Sequence, residues 1–281
     1  MTPEMITLIS GILFAPGPPA TVNVGDIYHT LALQDRDETE DILRALQDKK
    51  LARLALDGST IKPTSLGKAA AEDGSILSLV LGMDYTVRQF RGAVVHIIVE
   101  SAQGESGGTG FFSADFDNSI VTASHVVRDR EIRRIEDVSG NVIARAPLQA
   151  VLGPEALDLA VIRCQMPGGV TPLRIEWRPE MIEPLDQVLV LGYPPLANHL
   201  PALFHARAEI HAISSDYRGR RKLFLSSVTR PGCSGGPVIS TRGSVVGVTE
   251  QENTLELPGG VFTQFSATLA LYTREFAPAI I

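Results

Sequence analysis

The stretch Gly232-Cys233-Ser234-Gly235-Gly236-Pro237 sets one serine hydroxyl among residues with little or no side chain. A serine hydroxyl is a weak nucleophile at neutral pH, so it needs a base within hydrogen-bond reach before it can attack a carbonyl. Alone, a short run of this kind also fits an ordinary turn. Its meaning therefore depends on whether the rest of the chain supplies a base and a group to orient that base.

Two other stretches supply such residues. Val121 to Val127 contains His125, and Ala156 to Ile162 contains Asp158. Histidine suits the role of base because its pKa lies near neutral pH. A buried carboxylate selects the imidazole tautomer and stabilises the imidazolium that forms. The sequence therefore predicts a catalytic triad of His125, Asp158 and Ser234, with no catalytic metal.

The order His, Asp, Ser is that of the chymotrypsin-type triad, and it differs from the orders in subtilisins and α/β-hydrolases. Over about residues 90–275 the chain resembles trypsin-like serine peptidases, in particular their HtrA/Deg branch. Intervals of 33 and 76 residues separate the three positions, as in that branch. The motifs that carry the resemblance are Thr122-Ala123-Ser124-His125, Asp158-Leu159-Ala160-Val161-Ile162, Gly232 to Pro237, Gly108-Thr109-Gly110-Phe111, Gly192-Tyr193-Pro194 and Gly260-Val261-Phe262-Thr263.

The resemblance implies a mainly β fold of two six-stranded antiparallel barrels and a serine endopeptidase that needs no cofactor. Ser234 would attack the peptide carbonyl, His125 would take its proton and pass it to the leaving amine, and Asp158 would orient His125. The backbone N–H groups of Gly232 and Ser234 would form the oxyanion hole. Cys233 stands where the family usually has Asp or Asn, so we expect no activation through an ion pair with a freshly cut N-terminus.

The resemblance also assigns a primary substrate pocket to Val228, Thr249 and Gly260. Val228 lies six residues before Ser234 and would form the pocket floor. An apolar floor cannot pair with Lys or Arg, and burying such a charge without a partner is costly. We therefore predict cleavage of protein or peptide substrates after apolar residues. Glu250 and Glu252 are expected near the pocket rim and oppose this prediction.

Short apolar segments separated by turn residues dominate residues 76–281, which we assign to the peptidase domain. Many short strands with such turns indicate an all-β sandwich or a pair of barrels. A closing helix is expected at Ala267–Phe276. The predicted strands are Ala93–Val99, Gly110–Phe112, Ser119–Thr122, Asn141–Arg145, Leu159–Arg163, Gln187–Leu191, Leu223–Ser226, Pro237–Ile239, Val245–Val248 and Val261–Phe265.

Residues 1–75 predict a small α+β domain whose pattern resembles a winged helix. Asp57-Gly58 is a strong hairpin turn signal. Apolar periodicity and capping residues mark the helices. The predicted elements are helices at Ile27–Leu33, from Thr39 onward and at Leu66–Glu72, and strands at Leu51–Leu56 and Thr60–Lys62.

Charge makes nucleic acid a poor default partner. The chain has a net charge of −7, whereas binding to phosphates needs positive charge. The helix expected to read DNA follows Asp37-Glu38 and begins Thr39-Glu40-Asp41. We therefore expect the N-terminal domain to contact a protein partner or the peptidase domain. A small basic patch, formed by Lys49, Lys50, Arg53 and Lys62, keeps a DNA-binding regulator with an accessory protease as an alternative.

The cysteine content and the first residues of the chain indicate the cellular compartment of the protein. Only Cys164 and Cys233 are present, whereas small secreted domains usually carry more cysteines. Met1 to Met5 contains Glu4 and no basic residue, unlike the start of a secretory signal. No apolar stretch approaches the ~20 residues that cross a bilayer. We expect a cytoplasmic protein without a membrane partner.

The sequence leaves three further alternatives open. The chain could keep the peptidase fold without the activity and act as a binding module. Cys233 could itself be the nucleophile, although it lies one position off the motif. The glycines at 104, 107, 108 and 110 could bind phosphate, but they lack the G-x-G-x-x-G register and lead into a strand.

Overall fold

The computed structural model describes residues 1–16, 21–31, 36–102, 104–153, 157–196, 200–215, 221–227, 231–250, 253–257 and 261–270, the last two ranges for their backbone. The chain divides into two compact units, Met1–Thr86 and Val87–Ile281. The boundary expected from the sequence, between residues 75 and 76, falls earlier. The difference arises because Ile76 and Val80 are buried in the core of the first unit.

The first unit combines short helices with a small antiparallel sheet of order β1-β3-β2. Gly58 turns the β2–β3 hairpin with a φ of +70°. The elements of this unit are α1 (Pro3–Leu13), β1 (Val22–Asn23), α2 (Val24–Thr30), α3 (Arg36–Asp48), β2 (Ala52–Leu54), β3 (Thr60–Pro63), α4 (Ser65–Glu72), α5 (Ile76–Leu81) and α6 (Met83–Phe90), which runs on into the second unit.

Apolar faces of the helices form the core of the first unit. In α3, Ile42, Leu43 and Leu46 are buried, as the apolar spacing predicts. Full burial of one such side chain contributes about 1.5–3 kcal/mol. Ile6, Ile9 and Leu13 are buried on α1, which the Thr2 hydroxyl caps by accepting from the Met5 N–H. The predicted helices and hairpin are present with shifted ends, while their kinship with winged-helix domains stays a prediction.

The second unit is mainly β and contains two curled antiparallel sheets. Within the described ranges the first sheet has seven strands in the order β8-β7-β4-β5-β6-β10-β9. A one-turn helix, α7 (Ser124–Val127), follows β6. The strands are β4 (Val94–Ser101), β5 (Gly104–Ser113), β6 (Ser119–Ala123), β7 (Glu131–Glu136), β8 (Val142–Arg145), β9 (Ala150–Leu152) and β10 (Leu159–Ile162).

The second sheet has the order β13-β12-β11-β14-β15-β17-β16, again seven strands among the described residues. A further pairing between β13 and β17 closes six of these strands into a ring, with β16 attached to β17. The predicted count of six strands in each barrel is not confirmed. The strands are β11 (Gln187–Gly192), β12 (Phe204–Ser215), β13 (Arg221–Leu225), β14 (Pro237–Ser240), β15 (Val245–Thr249), β16 (Asn253–Leu257) and β17 (Val261–Ala270).

The predicted closing helix is wrong for its first residues. β17 continues through Ala270 because its end pairs with Lys222–Leu225 of β13 on one side and with Gly247–Thr249 of β15 on the other. In these two ladders the backbone N–H and C=O groups of β17 form hydrogen bonds with neighbouring strands. A helix at this place would break those inter-strand hydrogen bonds. The remainder of the predicted helix, residues 271–276, lies outside the described residues.

The main core of this unit draws on both sheets. Phe111, Phe112 and Ile120 of the first sheet are fully buried together with Leu191 and Ile239 of the second. A satellite core, which includes Val188, Ile210 and Leu223, lies within the second sheet. The candidate catalytic residues lie next to strands that contribute to the main core: His125 follows β6, Asp158 precedes β10 and Ser234 precedes β14.

Candidate active site

Strand pairing brings His125 and Asp158 together. Ala123 at the end of β6 pairs with Leu159 at the start of β10, so the residues just beyond this pair become neighbours. The Ser124 N–H donates to the Asp158 carbonyl at 2.8 Å and fixes this corner. His125 Nδ1 then lies 2.7 Å from Asp158 Oδ2. Two of the three predicted triad residues are therefore in direct contact.

The Asp158 carboxylate is held by three groups. Its Oδ1 accepts from the Ser124 hydroxyl at 2.7 Å and from the His125 backbone N–H at 2.9 Å, and its Oδ2 faces the imidazole. Burial opposes ionisation, but the hydrogen bonds and charge of His125 and the bond from Ser124 outweigh it and hold the pKa of Asp158 below its ordinary value. The residue facing the imidazole is therefore a carboxylate at neutral pH.

An ionised carboxylate can only accept hydrogen bonds, so the Nδ1 atom of neutral His125 must carry the proton. This tautomer leaves Nε2 with its lone pair, as a general base requires. The His125 side chain is 34% exposed, so it can be reached from solvent.

Ser234 lies on a tight loop that packs against the strand end leading to His125. Gly232 and Gly235 have φ values of +87° and +86°, which favour glycine. A Cβ on Gly235 would lie 2.1 Å from the Thr109 carbonyl oxygen and 2.9 Å from the Ala123 nitrogen. The Ser234 carbonyl accepts from the Thr109 N–H at 2.9 Å. This close packing joins the Ser234 loop to the corner where His125 and Asp158 meet.

Thr249, predicted to line the substrate pocket, contacts the Ser234 loop. Its hydroxyl lies 2.6 Å from the Cys233 carbonyl and 2.8 Å from the Gly236 carbonyl. Val228 and Gly260, the other two predicted pocket residues, lie outside the described residues. Glu250, expected at the pocket rim, is buried and forms an ion pair with Lys222.

Two site residues were missed as functional candidates from the sequence. Ser124 holds Asp158, and Thr109 contacts both the Ser234 loop and Tyr193. Both belong to motifs that carry the family resemblance. The signal that could have identified them is a hydroxyl beside a glycine or a histidine: Thr109 lies between Gly108 and Gly110 within β5, and Ser124 precedes His125 just after β6.

A cavity of about 490 Å³ opens beside the loop at Gly232. His96 on its wall stacks on Tyr193, with ring centroids 5.2 Å apart. Burial lowers the pKa of His96, although the nearby Glu136 and Glu105 oppose the shift. The residues that line this cavity are His96, Ile98, Glu105, Ser106, Gly107, Tyr193, Pro194, Pro195, Leu196, Pro201, Pro231 and Gly232.

No metal-binding cluster was found where the structure describes side chains: no three His, Cys, Asp or Glu residues lie close enough to share an ion. In that same part of the chain, no helix combines the length and apolar character needed to cross a bilayer.

A family model described as trypsin-like peptidase domain matches residues 108–248. An uncharacterized protein, y4bJ, of Sinorhizobium fredii is 30% identical over 155 residues, which are 53% of this chain and 22% of that protein. The serine protease HTRA1 of Xenopus laevis is 27% identical over 167 residues, 56% of this chain and 33% of that protein. The chain thus matches a third or less of the length of these curated relatives.

Two solved structures share the fold. The HtrA-type protease AlgW with a tripeptide has a TM-score of 0.54 and 17% identity, covering 67% of this chain and 59% of that chain. The Rv3671c protease from M. tuberculosis in its active form has a TM-score of 0.51 and 21% identity, covering 66% of this chain and 79% of that chain. At sequence identities this low, the two matches show a shared fold and nothing about activity.

Proposed function

Because this chain belongs to the trypsin-like peptidase domain family, we propose that it is a serine endopeptidase whose catalytic triad is His125, Asp158 and Ser234. The observation that carries the proposal is the 2.7 Å contact between His125 Nδ1 and Asp158 Oδ2 beside the Ser234 loop. HTRA1 and AlgW are described as a serine protease and an HtrA-type protease, which supports the same chemistry.

In the proposed mechanism, the Ser234 hydroxyl oxygen attacks the peptide carbonyl carbon while His125 Nε2 takes the hydroxyl proton. The carbonyl oxygen becomes an oxyanion, which the N–H groups of Gly232 and Ser234 stabilise. His125 then gives its proton to the leaving amine as the C–N bond breaks, and an acyl-enzyme remains. Water then attacks the ester carbon while His125 takes its proton. The C–O bond to Ser234 breaks as His125 returns that proton to the serine oxygen, and the carboxylic acid product leaves.

Asp158 keeps His125 in the tautomer that this cycle needs. Its lowered pKa means that it stays ionised while His125 gains and loses a proton. The carboxylate also stabilises the imidazolium that forms after the first proton transfer.

We further propose that the enzyme prefers apolar residues before the scissile bond. The family resemblance, which assigns Val228 to the pocket floor, remains the basis of this proposal. The ion pair between Lys222 and Glu250 adds support, because it neutralises one of the two carboxylates that would favour a basic residue. A cleavage profile on a peptide library checks this, and a profile dominated by Arg or Lys would contradict it.

The N-terminal unit is proposed to contact a protein partner or the peptidase domain rather than nucleic acid. The acidic side chains Asp37 and Glu38 lie in the first turn of α3, where a DNA-reading helix would meet phosphates. A cytoplasmic location is proposed as well, and it is supported by the low cysteine content of the chain, which is limited to Cys164 and Cys233. Tight binding of duplex DNA by the full chain at about 150 mM salt would contradict the first proposal.

The central experiment compares the wild-type chain with Ser234→Ala and His125→Ala on a casein substrate. Both substitutions should lower the rate by about 10⁴–10⁶ while circular dichroism stays unchanged. A fluorophosphonate probe should label wild type and not Ser234→Ala. Wild-type turnover by Ser234→Ala would exclude the serine mechanism, and a folded but unlabelled wild type would indicate an inactive binding module.

A further inference from the structure

Two buried threonines, one from each sheet, hold the backbone of the Ser234 loop. Thr109 lies on β5 and Thr249 ends β15, and both are fully buried. The Thr109 hydroxyl donates to the Gly232 carbonyl at 2.7 Å, and the Thr249 hydroxyl reaches the Cys233 carbonyl at 2.6 Å. Consecutive carbonyls of the loop are therefore bound by hydroxyls from the two sheets. The single proton of Thr249 is shared between the Cys233 carbonyl and the Gly236 carbonyl, which is 2.8 Å away.

The direction of the Thr109 bond is determined by its second partner. The Tyr193 N–H donates to the Thr109 oxygen at 2.9 Å. A hydroxyl has a single proton, and the acceptor side of this hydroxyl is already in use, so that proton points to the Gly232 carbonyl. The Thr109 N–H also donates to the Ser234 carbonyl at 2.9 Å. Thr109 thus binds the residues on both sides of Cys233.

Holding these carbonyls also orients N–H groups, because a peptide unit is planar and trans and its C=O and N–H point in opposite directions. The Cys233 carbonyl and the Ser234 N–H belong to one peptide unit. A bond that keeps this carbonyl on Thr249 therefore keeps the Ser234 N–H pointing away from Thr249. The Thr109 bond fixes the preceding peptide unit, which joins the Gly232 carbonyl to the Cys233 N–H. It therefore acts on the Gly232 N–H only by limiting rotation at Gly232, whose φ of +87° is not restricted by a side chain.

We propose that Thr109 and Thr249 are positioning residues that keep the oxyanion hole assembled before substrate binds. This inference rests on the proposed peptidase function and adds two residues to it. Donors that are fixed in advance stabilise the charge of the transition state without having to reorganise during the reaction. The two threonines would therefore act on the chemical step more than on substrate binding.

The experiment replaces each threonine by Val, which keeps the shape and removes the hydroxyl, and by Ser, which keeps the hydroxyl. Thr109→Val and Thr249→Val should each lower kcat by about 10–100-fold, in the range expected for a misplaced catalytic group. KM should stay within about threefold, because the lost interaction acts only in the transition state. A peptide boronate that mimics this state should bind more weakly by the same factor, and both Ser variants should restore kcat to within about threefold.

Ser113→Ala is the matched control. Ser113 is also fully buried on β5, but its hydroxyl accepts from the Asp115 N–H in a turn and, among the described residues, forms no hydrogen bond with the Ser234 loop. It should lower thermal stability without changing kcat. If either Val variant fails to fold, the Cys variant replaces it, because a thiol of similar size is only a weak donor.

A further measurement does not depend on activity. Hydrogen–deuterium exchange of segment 231–236 should rise in the Val variants and stay at the wild-type level in the Ser variants and in Ser113→Ala. The inference is overturned if the Val variants keep wild-type exchange, if their loss appears only in KM, or if the Ser variants lose as much kcat as the Val variants. Failure of wild type to hydrolyse peptides or to react with fluorophosphonate would instead overturn the proposed function, and the exchange data would still decide whether the threonines hold the loop.

Discussion

Gly235 combines two constraints that each exclude a side chain. Its φ of +86° disfavours residues with a Cβ. A Cβ there would lie 2.1 Å from the Thr109 carbonyl oxygen and 2.2 Å from the Thr122 hydroxyl. The close approach of the Ser234 loop to β5 and β6 therefore requires a residue without a side chain at position 235.

Comparison with Gly140 separates these two constraints. Gly140 has a φ of +78°, but a Cβ there would meet nothing within 4 Å. Gly140→Ala should lower the free energy of unfolding by about 1–2 kcal/mol from backbone strain alone. Gly235→Ala should lower it by about 1–3 kcal/mol more, since overpacking adds to the strain, and should reduce peptide hydrolysis. Urea denaturation measures both, and equal losses would show that the close approach is unimportant.

At the scale of elements, the sequence predicted the strands whose apolar residues form a continuous run. All four residues of β10, Leu159–Ile162, are buried, and the predicted strand there was Leu159–Arg163. The places of His125 just after β6 and of Asp158 just before β10 could be predicted because the motifs that contain them adjoin these apolar strands. The hydrogen bonds of Thr109 and Thr249 were not, because they link residues more than ten positions apart whose contact depends on the packed sheets.

Strand β7 was missed because its apolar residues are three positions apart. Ile132 and Ile135 are both buried, a spacing more typical of a helix than of a strand. The register against β4 shifts between Ile98 and Val99, which pair with Arg134 and Ile132. This irregularity inserts Arg133 and lets both isoleucines reach the core. β12 was missed as well, because most of its residues are only partly buried or exposed.

His96 connects three of these elements and gives the second unit a pH dependence. It lies on β4, stacks on Tyr193 after β11, and has Nδ1 3.5 Å from Glu136 Oε2 at the end of β7. Burial lowers the pKa of His96 from 6.5, while Glu136 and Glu105 oppose this effect and Arg134 reinforces it. The imidazole therefore stays neutral in the folded protein at pH values where the unfolded chain already binds a proton.

The free energy of unfolding should consequently fall as pH drops below about 6.5, since the unfolded state then binds more protons. His96→Phe keeps a ring over Tyr193 and removes the titration. Urea denaturation between pH 8 and pH 5 should give a constant difference between the two proteins above pH 7 and a growing relative loss for wild type below pH 6.5. The other histidines are common to both proteins, so parallel curves throughout would rule out this role for His96.

At the scale of the whole molecule, the change in sequence pattern near residue 75 indicated two domains but not where the first one ends. α5 looks apolar enough for either domain, and only packing shows that Ile76 and Val80 belong to the core of the first unit. Val87 and Phe90, a few residues further on, pack against the core of the second. The boundary between the two units along the chain therefore falls inside α6, where no turn residue marks it.

This division predicts how truncated chains behave. A chain that starts at Val87 keeps every described residue of the two cores of the second unit, so it should fold and hydrolyse small peptides with a kcat/KM within about threefold of the full chain. A chain that starts at Ile76 carries the apolar α5 without the core that buries it. Because exposed apolar patches promote association, the longer chain should bind more of an apolar dye such as ANS and form larger species in size-exclusion chromatography. Equal behaviour of the two truncated chains would contradict the boundary at residue 86, and loss of folding by the chain starting at Val87 would show that the second unit depends on the first.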